Sequence, residues 1–106
     1  MALAILGQAV PVAATPTTVY QCSLGASSVV STVIVCNTHA TLPDTVTIHQ
    51  VKAAGTLGVA NRIATTIIPA GESFIITAGL TLGSQESIRV LSANGYCTVT
   101  VSGDES

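Results

Sequence analysis

Cys36 and His39 form a Cys-x-x-His spacing, the one pair in this chain that resembles part of a metal site. Structural zinc takes four thiolate or imidazole ligands. The remaining donors would have to be His49, Cys22 or Cys97, and no spacing supports them, so no metal is expected. His49 has Thr45, Thr47 and Val51 as its near neighbours along an alternating segment, and none of these activates an imidazole. Asp44, Glu72 and Glu86 each fall in a turn sequence, where solvated acids are expected. Glycoside hydrolysis needs two carboxyl groups flanking a substrate at a set separation, and separate turns give no such pair. Ser27-Ser28 and Ser84 lack a nucleophile-elbow pattern, and no Gly-rich phosphate loop is present. The expectation is a protein without catalytic residues or cofactor, and not an enzyme.

Other function classes are narrowed by composition. Lys52, Arg62 and Arg89 are the only Lys and Arg residues among 106, and the net charge is −2. Counterion release from nucleic acid needs a basic stripe, which three scattered cations cannot make. The chain has no Trp, one Phe and two Tyr, which leaves Tyr20 and Tyr96 as the thin basis for stacking a sugar ring. The three cysteines are an odd number, so a complete intrachain disulfide framework is ruled out. Buried apolar thiols in a reducing compartment are expected instead. The stretch from Met1 to Val12 is apolar, but no Lys or Arg precedes it and Gly7-Gln8 interrupts it, so no secretory leader is expected. No apolar run approaches the ~20 residues of a membrane span.

Charged residues are 8% of the chain and hydrophobic ones 48%, with a mean hydropathy of +0.67. Ordinary domains carry about 25% charged residues. So little charge protects a free surface poorly, and much of the surface is expected to be covered by copies of the chain or by partners.

The elements that would position these residues are strands. Residues 1–17 read as an extended arm, because Pro11 and Pro16 remove donors and force extended geometry before them. Leu3, Ile5, Leu6, Val10 and Val12 are too apolar for a solvated tail, so the arm is expected to lie on a neighbouring subunit. From Thr18 onward, β-branched residues dominate. Strands are expected at Thr18–Ser23, Ser28–Asn37, Thr45–Lys52, Arg62–Ile68, Ser73–Thr77, Ser87–Ser92 and Tyr96–Ser102. Ser28–Asn37 is apolar on both faces and reads as central. Thr45–Lys52 alternates, with Val46 and Ile48 inward and Thr45, Thr47 and His49 on a wet face. Pro69-Ala70-Gly71-Glu72 fits a type II turn with Gly71 at the positive-φ position, and Asn94-Gly95 is the strongest hairpin signal. About seven strands in residues 18–106 predict one all-β domain, a two-sheet antiparallel sandwich of immunoglobulin-like or jelly-roll connectivity.

Thr17-Thr18-Val19-Tyr20, the strand Val29–Val35 running into Cys36-Asn37, and Ile67-Ile68-Pro69-Ala70-Gly71-Glu72-Ser73 occur in that order, followed by Gly79-Leu80-Thr81-Leu82 and Ile88-Arg89-Val90. Over nearly the whole chain this order resembles small β-sandwich virion accessory proteins of tailed bacteriophages. The resemblance implies a structural virion protein, assembled in the host cytoplasm. Its first form is a capsid decoration or cement protein that binds the major capsid protein, or other virion proteins, and stabilises the head shell. A tail, baseplate or neck component and a glycan- or host-binding module are the alternatives. Repetition over a closed shell implies homo-oligomers, with a trimer at a three-fold position as the expected form. The expected contact residues are Leu3, Ile5, Leu6, Val10 and Val12 of the arm, then Thr45, Thr47 and His49.

Overall fold

The computed structural model describes residues 4–77 and 79–106. It holds nine strands: β1 (Ala4–Ala9), β2 (Thr17–Gln21), β3 (Ser28–Asn37), β4 (Asp44–Val51), β5 (Arg62–Ile68), β6 (Ser73–Ile76), β7 (Leu80–Leu82), β8 (Ser87–Ser92) and β9 (Cys97–Glu105). A single 3-10 turn, Val59–Asn61, precedes β5. One sheet runs β1-β9-β3-β6, with β7 also paired to β3, and the other runs β2-β8-β4-β5. Every pairing is antiparallel.

The order of these pairs reveals the connectivity. β4 pairs with β5, β3 with β6 and β7, β2 with β8, and β1 with β9. These are nested pairs, as in one long hairpin folded at its middle. Rolling that hairpin adds the pairs β3–β9 and β4–β8, and the result is a jelly roll. The all-β sandwich expected from the sequence is thus present, in the second of its two connectivities. The seven expected strands are all found. β7 and β1 bring the total to nine, because Leu80–Leu82, outside the expected strands, pairs with Ser28–Val30 and part of the expected arm also pairs.

The core lies between the sheets and is built mainly from β-branched residues: Val30, Val33, Val35, Val46, Ile48, Ile88, Val90, Val99 and Val101 are all essentially fully buried. Their alternation follows the pleat, except where bulges interrupt it. In β3 the register shifts between Val30 and Thr32, so the inward set changes from Ser28 and Val30 to Val33 and Val35. That switch is why the strand reads as apolar on both faces.

Of the two turn sequences, one performs a different task from the one expected and the other has the expected geometry. β8 and β9 belong to different sheets, so Asn94-Gly95 does not close a hairpin; it carries the chain over the end of the sandwich. Gly95 has φ 74°, as the turn signal implied, and its amide donates to Ser92 Oγ at 3.0 Å. Pro69–Glu72 likewise crosses from β5 in one sheet to β6 in the other. There Gly71 has φ 75° and Glu72 N–H donates to the Pro69 carbonyl at 3.1 Å, the geometry of a type II turn. Local turn chemistry was legible, but whether the flanking strands pair depends on the roll of the whole sheet.

The arm is corrected most. Ala4–Ala9 is strand β1 on the edge of the protein's own sheet, paired with Val99–Gly103. Leu6 and Ala9 pack on the core. Beyond β1, Ala14 N–H donates to the Ser92 carbonyl at 2.8 Å, and Ala13 sits against Gly95 so closely that a Cβ there would meet Ala13 N at 3.0 Å. The apolar side chains that seemed to require a neighbour are satisfied in part by the same chain.

Candidate functional site

Among the described residues no group of three or more His, Cys, Asp or Glu side chains is arranged to hold a metal ion. The pair that suggested one is engaged locally. His39 Nδ1 accepts from Thr41 N–H at 3.1 Å and Leu42 N–H at 3.0 Å, and its ring packs on Tyr96 with centroids 4.3 Å apart. These bonds shape the β3–β4 loop and occupy one of the two ring nitrogens through which a metal could bind. Tyr20 is buried and its hydroxyl donates to Glu105 Oε1 at 2.5 Å. Burial withdraws Tyr20 from stacking on a sugar, and the His39 ring covers one side of Tyr96.

His49 departs from the expected wet face. It is only 4% exposed although it points outward between Arg89 and Arg62 on the flanking strands. The loop after β4 folds back over it: Asn61 Oδ1 accepts from His49 Nδ1–H at 2.8 Å and from Gly58 N–H at 3.1 Å, while Asn61 Nδ2 donates to the Thr56 carbonyl at 2.8 Å. The histidine therefore anchors a loop and is unavailable to a partner. Thr45 is exposed and Thr47 half-buried on the same strand. Of the other expected contacts, Ile5, Val10 and Val12 are exposed, whereas Leu6 turns inward. Leu3 lies outside the described residues.

Asp44 departs furthest from expectation. Expected as a solvated turn acid, it is 1% exposed at the start of β4. Its carboxylate accepts from the Ser92 hydroxyl, from Asn94 N–H at 3.0 Å, from Tyr96 N–H at 3.2 Å and from the Cys97 thiol at 3.3 Å. Burial works to raise its pKa, but these donors prevail and hold it below the ordinary carboxylate value. Burial and the adjacent carboxylate push the Cys97 thiol up to about 12. With a thiol that stays protonated and a carboxylate saturated by donors, this cluster lacks the activated nucleophile and free base that catalysis needs. It serves as a clamp on the β8–β9 crossing.

What the fold displays is a pair of unlike faces. On the outer face of the first sheet one row runs Gln8–Thr100–Ile34–Ile75 across four strands. Beside it stand Thr98, Cys36 and Ser73 in one row and Ile5, Ser102 and Thr32 in another. None of these side chains is charged. Ile34 is 36% and Ile75 56% exposed, so the face offers apolar patches in a threonine-rich field, with a shallow depression at Gln8, Val10, Thr98 and Thr100. At the ends of the face stand Asp104, itself nearly buried, and Glu72, in the turn that precedes Ser73. The opposite sheet carries Arg89 and Arg62 on its outer rows. Pairing in the first sheet thus creates a flat, uncharged surface from residues scattered over the sequence, and this surface is the candidate site.

No family model matches the chain, and no curated protein matches it. Among solved structures, a chain from the structure of infectious bursal disease virus Gx strain aligns with 98% of this chain and 28% of its own, at 12% identity and a TM-score of 0.33. This chain therefore spans little more than a quarter of that structure's chain, and a likeness so distant carries no argument about role.

Proposed function

We propose that this protein is a structural component of a bacteriophage particle, specifically a decoration protein that binds the head shell through the outer face of its first sheet. The observation that carries the reading is the uncharged field of Gln8, Thr100, Ile34, Ile75 and their neighbours. Such a face gains from being covered, since burying its apolar atoms is worth about 25 cal/mol per Å². It also carries no charge to desolvate, so the cost of dehydration is small. Repetition over many sites then turns modest single contacts into stable coverage. The jelly roll supports this role as a rigid support for a flat surface. The major capsid protein is the proposed partner. A tail, baseplate or neck position would use the same surface at lower copy number.

The test places a charge in the middle of the face. Ile34→Lys and Thr100→Glu should leave the unfolding temperature within a few degrees and reduce binding to particles lacking the protein by at least tenfold. Thr18→Glu on the other sheet should not. Equal binding by all three variants would refute the assignment of this face.

A further inference from the structure

The sandwich has one strand edge that is longer and less interrupted than the others. Exposed edges present unpaired N–H and C=O groups, and proteins blunt them with bulges, short strands, Pro or charge. β1 carries a bulge between Ile5 and Gly7, and five-residue β2 one between Thr18 and Tyr20. The far edge of the first sheet is broken into β6 of four residues and β7 of three. β5 is less interrupted. It is seven residues long, lies last in its sheet, and contains neither Pro nor Lys; Arg62 at its start is its one charged residue. Its one register shift with β4 lies at that end, between Ile48 and His49, and the pairing is regular from Ala64 to Ile68. Ile63, Thr65 and Ile67 point outward and are exposed, Ile67 to 66%.

We propose that β5 pairs with β5 of a second copy, antiparallel about Thr65, to join two four-stranded sheets into one of eight. The strand's own sequence selects this occupant and register. With Thr65 opposite Thr65, Ile63 faces Ile67 of the other copy and Ile67 faces Ile63, so both exposed isoleucines gain apolar cross-strand partners. Arg62 faces Ile68, and the two Arg62 residues stand about 20 Å apart along the pair at ~3.4 Å per residue. Like charges are therefore kept separate. Only Pro69–Glu72 links β5 to β6, so the edges of both sheets lie on the same side and can meet the second copy together.

The area sets the scale of the contact. β5 is ~24 Å long and two sheets ~10 Å apart with their side chains span ~20 Å, a footprint of roughly 500 Å² per copy. Specific dimers bury about 800 Å² per partner, so the contact is small and a weak dimer, populated at tens of micromolar, is expected. Its symmetry is two-fold, in contrast to the three-fold association suggested by a shell lattice. The inference concerns the isolated protein and stands apart from the role of the other face.

Sedimentation equilibrium of the purified protein at tens of micromolar should give about twice the 10.6 kDa chain mass. Thr65→Lys should raise the dissociation constant at least tenfold while its circular dichroism and unfolding temperature stay unchanged. In a Cys36→Ser background, Thr65→Cys should form a disulfide-linked dimer on oxidation and Thr100→Cys should not. A monomer at 100 μM, a dimer untouched by Thr65→Lys, or cross-linking through Thr100→Cys alone would each overturn the proposal. If Thr65→Lys fails to fold, the cysteine pair decides.

Discussion

Replacing Asp44 tests whether the crossing between β8 and β9 is held by one buried carboxylate. Asp44→Ala removes the acceptor for Asn94 N–H, Tyr96 N–H, the Ser92 hydroxyl and the Cys97 thiol. Leaving a buried donor unpaired costs about 1–3 kcal/mol. The two amides lie near the surface and recover part of that from water, so a total of about 3–4 kcal/mol is expected, against about 5–15 kcal/mol for a whole domain. At about 4–8 °C per kcal/mol, the unfolding temperature should fall by about 12–30 °C. Asp44→Asn keeps one carbonyl acceptor and should lose less, about 2 kcal/mol. Glu72→Ala, at an exposed turn, should change stability by less than about 0.5 kcal/mol. Urea titration followed by circular dichroism measures all three. The pH dependence follows from the same bonds: the folded-state pKa of Asp44 lies below its unfolded value, so its contribution is complete above about pH 4 and is lost as the pH falls through the lower, folded-state value. If Asp44→Ala costs no more than Glu72→Ala, or if the Asp44→Asn protein retains the wild-type acid transition, the clamp does not hold the corner.

Three further outcomes are expected. Gly7→Ala should destabilise strongly, because a Cβ there would lie 2.1 Å from the Val19 carbonyl oxygen, where β1 presses against β2; overpacking of this kind costs about 1–3 kcal/mol or more, and a wild-type urea midpoint would contradict the close approach. In the folded protein a thiol reagent should reach only Cys36, since Cys22 and Cys97 are buried, with all three reacting in urea; rapid native modification of Cys97 would refute its placement. Burial, aided by the bond to Glu105, raises the Tyr20 pKa well above 10, so its phenolate absorbance should appear late in an alkaline titration and stability should decline as pH rises beyond 10. Ionisation of Tyr20 near pH 10 in the folded state would contradict that environment.

Strand positions were legible because Val, Ile and Thr alternate at the period of a pleat, and those signals are local. What escaped the sequence reading required a partner distant in the chain. Asp44 looks like a turn acid beside Pro43 until β8 and β9 bring Ser92, Asn94, Tyr96 and Cys97 around it. His49 sits in a wet-face pattern, and nothing adjacent indicates that Asn61 will fold a loop over it. Asn94-Gly95 carries a hairpin signature yet links two sheets, since pairing follows the rolled order of the whole fold. The apolar start of the chain was recognised as needing cover, but β9 of the same molecule provides part of it. The uncharged face was foreshadowed by composition alone: 8% charged residues led to the expectation of a covered surface, and only the register assembles the uncharged face proposed for that role.

The proposed role is that this jelly roll coats a particle through the uncharged rows on the outer face of its first sheet. Quantitative mass spectrometry of purified particles carrying the protein tests it most directly. Repetition over a closed shell predicts on the order of hundreds of copies per particle, whereas a single axis would hold roughly three to twelve. A count in the hundreds is the expected result; absence from purified particles would contradict the account, and a count near twelve would move the protein from the shell to the tail.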